Sequence, residues 1–272
     1  MQGMTGLVGV TAAAAVMLAA CATTTEKGVV GVERSQLLLV SSAEMDQSAA
    51  AAYQNVLKEE GSKGAVNQNP QQVERIRRIA ARLIPQTAVF RKDAPAWKWE
   101  VNVITSPEPN AWCMPGGKIA FYTGILDKLQ MNDDEVAAVM GHEIAHALRE
   151  HGRERASQQI ATAVGAGVVG SALGVGKGGT DLVALVGQVT FLLPYSRLHE
   201  TEADRMGVEL AARAGYDPRA AIALWQKMAK LADGGGTPSF LSTHPSNEER
   251  IKDLGVFSQK VMPLYEQARA KP

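Results

Sequence analysis

A chain of 272 residues with 46% hydrophobic composition is long enough for one sizeable domain with a proper core. Lys plus Arg equals Asp plus Glu at 28 each and no basic run stands out, which argues against a nucleic-acid partner.

Residues 1–20 are apolar and small and end in Leu18-Ala19-Ala20-Cys21. This resembles a bacterial lipoprotein signal, which implies cleavage before Cys21 and lipid on its thiol, although no Lys or Arg precedes the apolar part. A membrane span is the weaker reading, because Ala, Gly and Thr dominate the stretch. Residues 21–40 lack a sustained period and read as a lipid-anchored tether, which leaves 41–272 as the folded domain. Ser41-x-x-Glu44 predicts the cap of a helix running to Gly61, and Pro70 opens a second that ends before Pro85. Trp97 to Thr105 alternates as a strand does. Ala111–Met114 and Lys118–Tyr122 read as short strands joined at Pro115-Gly116-Gly117. Cys113 is the one cysteine left once Cys21 is lipidated, so no intramolecular disulfide is expected. It reads as a small buried strand residue rather than as a thiolate approaching a metal.

The next helix carries chemistry. Asn132 is a good N-cap, Glu135 can complete a capping box, and Asp133 and Asp134 suit the positive end of the dipole. Gly152 is the expected stop. The run is apolar on nearly every face, so the helix should be buried, yet it holds His142-Glu143-x-x-His146. Residues four apart share a face, so both imidazoles can reach one ion, and Glu143 beside them can act on a water polarised by that ion. Buried histidines without partners would cost several kcal/mol.

A catalytic zinc site needs a third protein ligand. The chain has five histidines, His142, His146, His151, His199 and His244. Ile160 to Leu193 reads as an apolar helical hairpin broken at Gly174–Gly179, packed over the groove, with dipping into a bilayer as the alternative. Tyr195 to Asp204 starts another helix with Ser196 as cap. There Glu200 and Asp204 share a face and Glu202 points away from both, so Glu200 is the expected third ligand and Asp204 the outer partner that orients a ligand histidine. Gly215 closes this helix, Asp217-Pro218 opens one that ends at Asp233-Gly-Gly-Gly, and Ser246-x-x-Glu249 caps a last short one.

Together with Ser196-Arg197-x-x-Glu200-x-Glu202-Ala203-Asp204-x-x-Gly207, the His142-Glu143-x-x-His146 pattern resembles the M48 family of zinc metallopeptidases. Asn110-Ala-Trp-x-Met-Pro-Gly-Gly-Lys118 and His244-Pro-Ser-x-x-Glu-Arg250-Ile extend the likeness to about residues 70–255. The resemblance implies a mostly helical, zincin-like α+β domain with a small sheet beside the His142 helix and one Zn(2+) per chain. It implies Glu200 as third ligand, in agreement with the facing argument, and Glu143 as the catalytic carboxylate. Asn110, Ala111, Trp112 and Met114 would form the strand edge that holds a peptide substrate as an added strand. Arg197, Arg250 and His244 are implied candidates for stabilising the oxyanion. His244 is also a candidate fourth ligand, because some periplasmic relatives place the histidine of a similar segment on the metal.

The function so implied is a zinc endopeptidase of misfolded or misassembled envelope proteins. It would be bacterial, on the periplasmic side and held by lipid on Cys21; Ala22 implies outer-membrane sorting where two membranes exist. The rival is an envelope chaperone or assembly factor with a latent or structural zinc site. Glu143 argues for the enzyme, since a purely structural site has no use for that carboxylate.

Overall fold

Asn132 starts the helix around which the other elements stack. Its side chain accepts from the Glu135 amide at 2.9 Å while Glu135 accepts from the Asn132 amide at 3.0 Å, so the capping box forms as read. The computed structural model describes residues 21–165, 180–233, 238–245 and 248–270. In chain order, β1 (Cys21–Ala22) pairs antiparallel with β2 (Gln36–Leu37). The helices α1 (Ser42–Ser62) and α2 (Pro70–Leu83) follow. Next come β3 (Glu100–Ile104), β4 (Ala111–Met114) and β5 (Lys118–Tyr122), then α3 (Thr123–Lys128) and the central α4 (Asp133–Leu148). Beyond it lie α5 (His151–Gly165), α6 (Thr180–Phe191), α7 (Arg197–Arg213), α8 (Ala220–Asp233), α9 (Ser239–Thr243) and α10 (Glu248–Arg269). The architecture is α+β and mostly helical, as expected.

The sheet has the order β3-β5-β4, with β3 parallel and β4 antiparallel to β5. Gly116 and Gly117 take positive φ in the β4–β5 turn, which glycine does at little cost. From Val136 to Leu148 every residue of α4 is buried. Its apolar side chains join one core with Val103, Ile119 and Phe121 of the sheet, Met206 and Leu210 of α7, and Trp225 and Met228 of α8. A second cluster puts Tyr53 of α1, Trp112 and Met114 of β4, and Val186 of α6 together.

Three expectations about boundaries are corrected. The chain after Cys21 is no loose tether. Thr25, Val30, Val32 and Gln36 are buried, and the segment lies as a strap against the end of α4, held there by polar groups and by too few apolar ones to give a sustained period. The central helix stops at Arg149, not at Gly152, because Glu150 turns left-handed at φ +53° and Gly152 falls inside α5. The cost of that turn is offset by the Glu150 carboxylate, which binds Arg91 at 2.6 Å and the Ser42 hydroxyl at 2.9 Å. The last helix is long, 22 residues, because Leu254, Ser258 and Val261 give it a face to bury. The predicted cap Ser246 and the break at Gly174–Gly179 lie outside the described residues. Among the described residues no helix is long and apolar enough to cross a membrane.

One contact sets the distance between α4 and α7. Gly141 faces Gly207 so closely that a Cβ on Gly207 would stand 2.8 Å from the His142 backbone nitrogen, which cannot give way. Gly207→Ala should therefore force the two helices apart and lower unfolding stability by about 1–3 kcal/mol, read as a shifted urea midpoint. An unchanged midpoint would mean that the helices can slide at no cost.

Candidate metal centre

The helical repeat puts His142 and His146 on one face of α4, with their Nε2 atoms 3.1 Å apart. Ser196 caps α7 by accepting from the His199 amide, which sets Glu200 in the first turn facing those rings. Glu200 Oε1 lies 3.4 Å from His146 Nε2, and Oε2 lies 3.6 Å from His142 Nε2. From the end of α9, His244 brings Nδ1 to 3.2 Å from His142 Nε2 and 3.0 Å from Glu200 Oε1. All four residues are buried, none more than 4% exposed.

The donor set fits zinc. Tetrahedral zinc with bonds of about 2.0–2.1 Å has edges between ligand atoms of about 3.3 Å. With Glu200 Oε1 as the oxygen, four of the six separations are 3.0 to 3.4 Å, close to those edges. The four residues offer ligand atoms that all lie within 4.8 Å of one another. Cys113 lies outside this group, and burial holds its thiol protonated, as a buried strand residue should be.

Partners behind the ligands orient them. Asp204 Oδ1 stands 3.0 Å from His142 Nδ1, the place expected from its spacing to Glu200. Arg250 donates to both Asp204 oxygens, at 2.7 and 2.8 Å, and pairs with Glu200 Oε2 at 2.6 Å. Burial opposes ionisation of Glu200, but His244 and Arg250 hold its carboxyl well below the usual range. Burial keeps His146 neutral, the form a metal ligand needs.

The Cys113 backbone of β4 favours the ionised form of Glu143, whose Oε1 stands 3.4 Å from His244 Nε2. That oxygen is buried and makes no hydrogen bond. Burial raises its proton affinity, against the pull of His244 and His142. A carboxylate so placed can accept a proton and give it back.

The other expected residues divide. Arg250 pairs with Asp204 and Glu200, behind the donor group. Arg197 is exposed on the first turn of α7. Ala111, Trp112 and Met114 lie on the outer strand of the sheet, buried, with Trp112 edge-on to Phe191 of α6 at 5.3 Å; Asn110 immediately precedes the strand. Cys21 is exposed.

Sequence reasoning missed two groups. Tyr195 lies over His146, ring centroids 3.9 Å apart, and stacks on His244 at 5.1 Å. His151, counted only among the five histidines, has its Nδ1 2.9 Å from His146 Nδ1. A five-residue spacing does not share a helix face, so only the left-handed turn at Glu150 brings the two rings together.

Comparison with known proteins adds an independent line. The family described as Peptidase family M48 matches residues 70–256. The mitochondrial metalloendopeptidase OMA1 of Schizosaccharomyces pombe is 35% identical over 208 residues, 76% of this chain and 58% of that protein. The Arabidopsis thaliana OMA1 is 37% identical over 174 residues, 63% of this chain and 34% of that protein. Metalloprotease YcaL of Escherichia coli is 27% identical over 154 residues, 56% of this chain and 59% of that protein. The chain thus spans about a third to three-fifths of the length of these relatives.

Proposed function

The chain belongs to peptidase family M48, and from that membership we propose that it is a zinc-dependent endopeptidase acting on misfolded or misassembled envelope proteins. The observation that carries the reading is the buried donor group of His142, His146, Glu200 and His244 with Glu143 beside it. His142, His146 and Glu200 hold the metal in the working state. When bound, zinc supplies Lewis acidity, polarising a carbonyl and lowering the pKa of water to about 7. Glu143 takes the proton of the attacking water and passes it to the leaving amine. His244 acts as a removable fourth ligand, keeping the site closed until its segment moves. The outer strand β4 is the natural place for a substrate segment to add as a further strand.

The place of action we propose is the periplasmic side of a bacterial envelope, with lipid on Cys21; the support is Leu18-Ala19-Ala20-Cys21 and the exposure of Cys21. Purified protein should carry about one zinc per chain and cleave casein, a chelator should abolish cleavage, and added zinc should restore it. Aggregation of unfolded clients suppressed equally with and without zinc, and no cleavage at full zinc occupancy, would favour the chaperone reading instead. Mass spectrometry of the mature N-terminus tests the location, and an unmodified chain beginning at Met1 would overturn it.

A further inference from the structure

His146 has two ring nitrogens, and Nε2 is the one that faces the donor group. A ligand nitrogen presents a lone pair, so the proton of a neutral His146 sits on Nδ1. That nitrogen is 2.9 Å from His151 Nδ1. His151 must therefore accept there and carry its own proton on Nε2, which is 2.9 Å from Glu202 Oε2. Each bond fixes the tautomer of the next ring. The order runs one way, from the Glu202 carboxylate through His151 to the metal-facing nitrogen.

Glu202 is itself clamped. Arg34 donates to it from Nε at 2.9 Å and from Nη2 at 3.0 Å, and Arg149 Nη2 reaches it at 3.4 Å. The same Arg34 guanidinium grips Glu154 at 2.6 and 2.7 Å. Arg34 lies on the strap between β1 and β2, and its carbonyl accepts from Arg149 Nη2 at 2.9 Å. Gln36 and Thr24 of the strap donate to the Arg149 carbonyl at 2.7 and 3.1 Å. Paired, charge-assisted contacts to the buried Glu202 and Glu154 hold a geometry, because breaking one leaves a buried carboxylate short of a partner.

We infer that His151 and Glu202 are positioning residues for His146, and that the N-terminal strap, through Arg34, holds Glu202 to that task. The inference rests on His146 being a zinc ligand. It makes the segment just after Cys21 a working part of the site, not a spacer.

The test measures the zinc dissociation constant of the full-length chain by competition with a chromophoric chelator, beside thermal unfolding of the zinc-free protein. Glu202→Gln and His151→Phe should each raise the constant roughly 10- to 100-fold. His151→Gln should recover most of the loss, since its amide oxygen can accept from His146 and its amide nitrogen can donate to Glu202. A role in packing alone predicts the reverse order, because phenylalanine keeps the ring and glutamine does not. Constants within about twofold of the parent for Glu202→Gln, or glutamine no better than phenylalanine at 151, would overturn the inference. If His151→Phe does not fold, Glu202→Gln and His151→Gln against the parent still decide it. His146→Ala separates the two layers. An unchanged constant there removes the ligand assignment and the inference with it, whereas a large rise there with no change in Glu202→Gln removes the inference alone.

Discussion

Glu143→Gln protein should bind about one zinc per chain as tightly as the parent, and its casein turnover should fall roughly 10²- to 10⁴-fold. Glutamine keeps the shape of the side chain and its capacity to accept a hydrogen bond. What it loses is the ability to take a proton. Nothing in the donor group depends on Glu143 as a ligand, so the metal should stay. Glu200→Ala should do the converse, removing a ligand oxygen and weakening zinc binding beyond any effect of the Glu202 variants. Turnover of Glu143→Gln within tenfold of the parent would take the base role from this residue. If Glu202→Ala strips zinc while Glu200→Ala keeps it, the ligand assignment is wrong.

Those two glutamates show what a sequence can and cannot tell about such a site. Facing on one helix is local arithmetic, so Glu200 with Asp204 on one side and Glu202 on the other could be read from spacing. The structure brings Glu200 and Asp204 to His142, and Glu202 to the far side. What Glu202 meets there could not be read, because its partners come from 51 residues back, at His151, and 168 residues back, at Arg34. The same limit hid the strap. Besides Val30 and Val32, its docking uses threonines, a glutamine and arginine pairs, and hydrophobic periodicity is blind to such contacts. Helix starts were legible from the capping residue at Ser41, Asn132 and Ser196, and from the proline at Pro70, whose cap is Asn69. The stop of α4 was not, because a left-handed glutamate is set by the tertiary contacts of its carboxylate rather than by residue type.

His244→Ala should raise casein turnover about tenfold or more at matched zinc occupancy. His244 Nδ1 lies at coordination-shell distance from both His142 Nε2 and Glu200 Oε1, so with zinc bound it would fill the fourth corner that a catalytic site keeps for water. The group is deeply buried, so under the proposed latch activity would scale with the fraction of molecules whose His244 segment has moved. A minor open state of about 0.1–10% leaves at least a tenfold gain for a variant that cannot close. Three ligands remain in that variant, enough to hold zinc. The competing role is a hydrogen bond to the oxyanion, suggested by His244 Nε2 standing 3.4 Å from Glu143 on the catalytic side. Removing such a donor lowers turnover roughly 10²- to 10³-fold. The two roles thus predict opposite signs in one measurement. Stacking of the His244 ring on Phe240, 4.5 Å between centroids, and on Tyr195 gives the closed position its hold. A large loss of turnover in His244→Ala would rule out the closed ligand as the main role of this histidine.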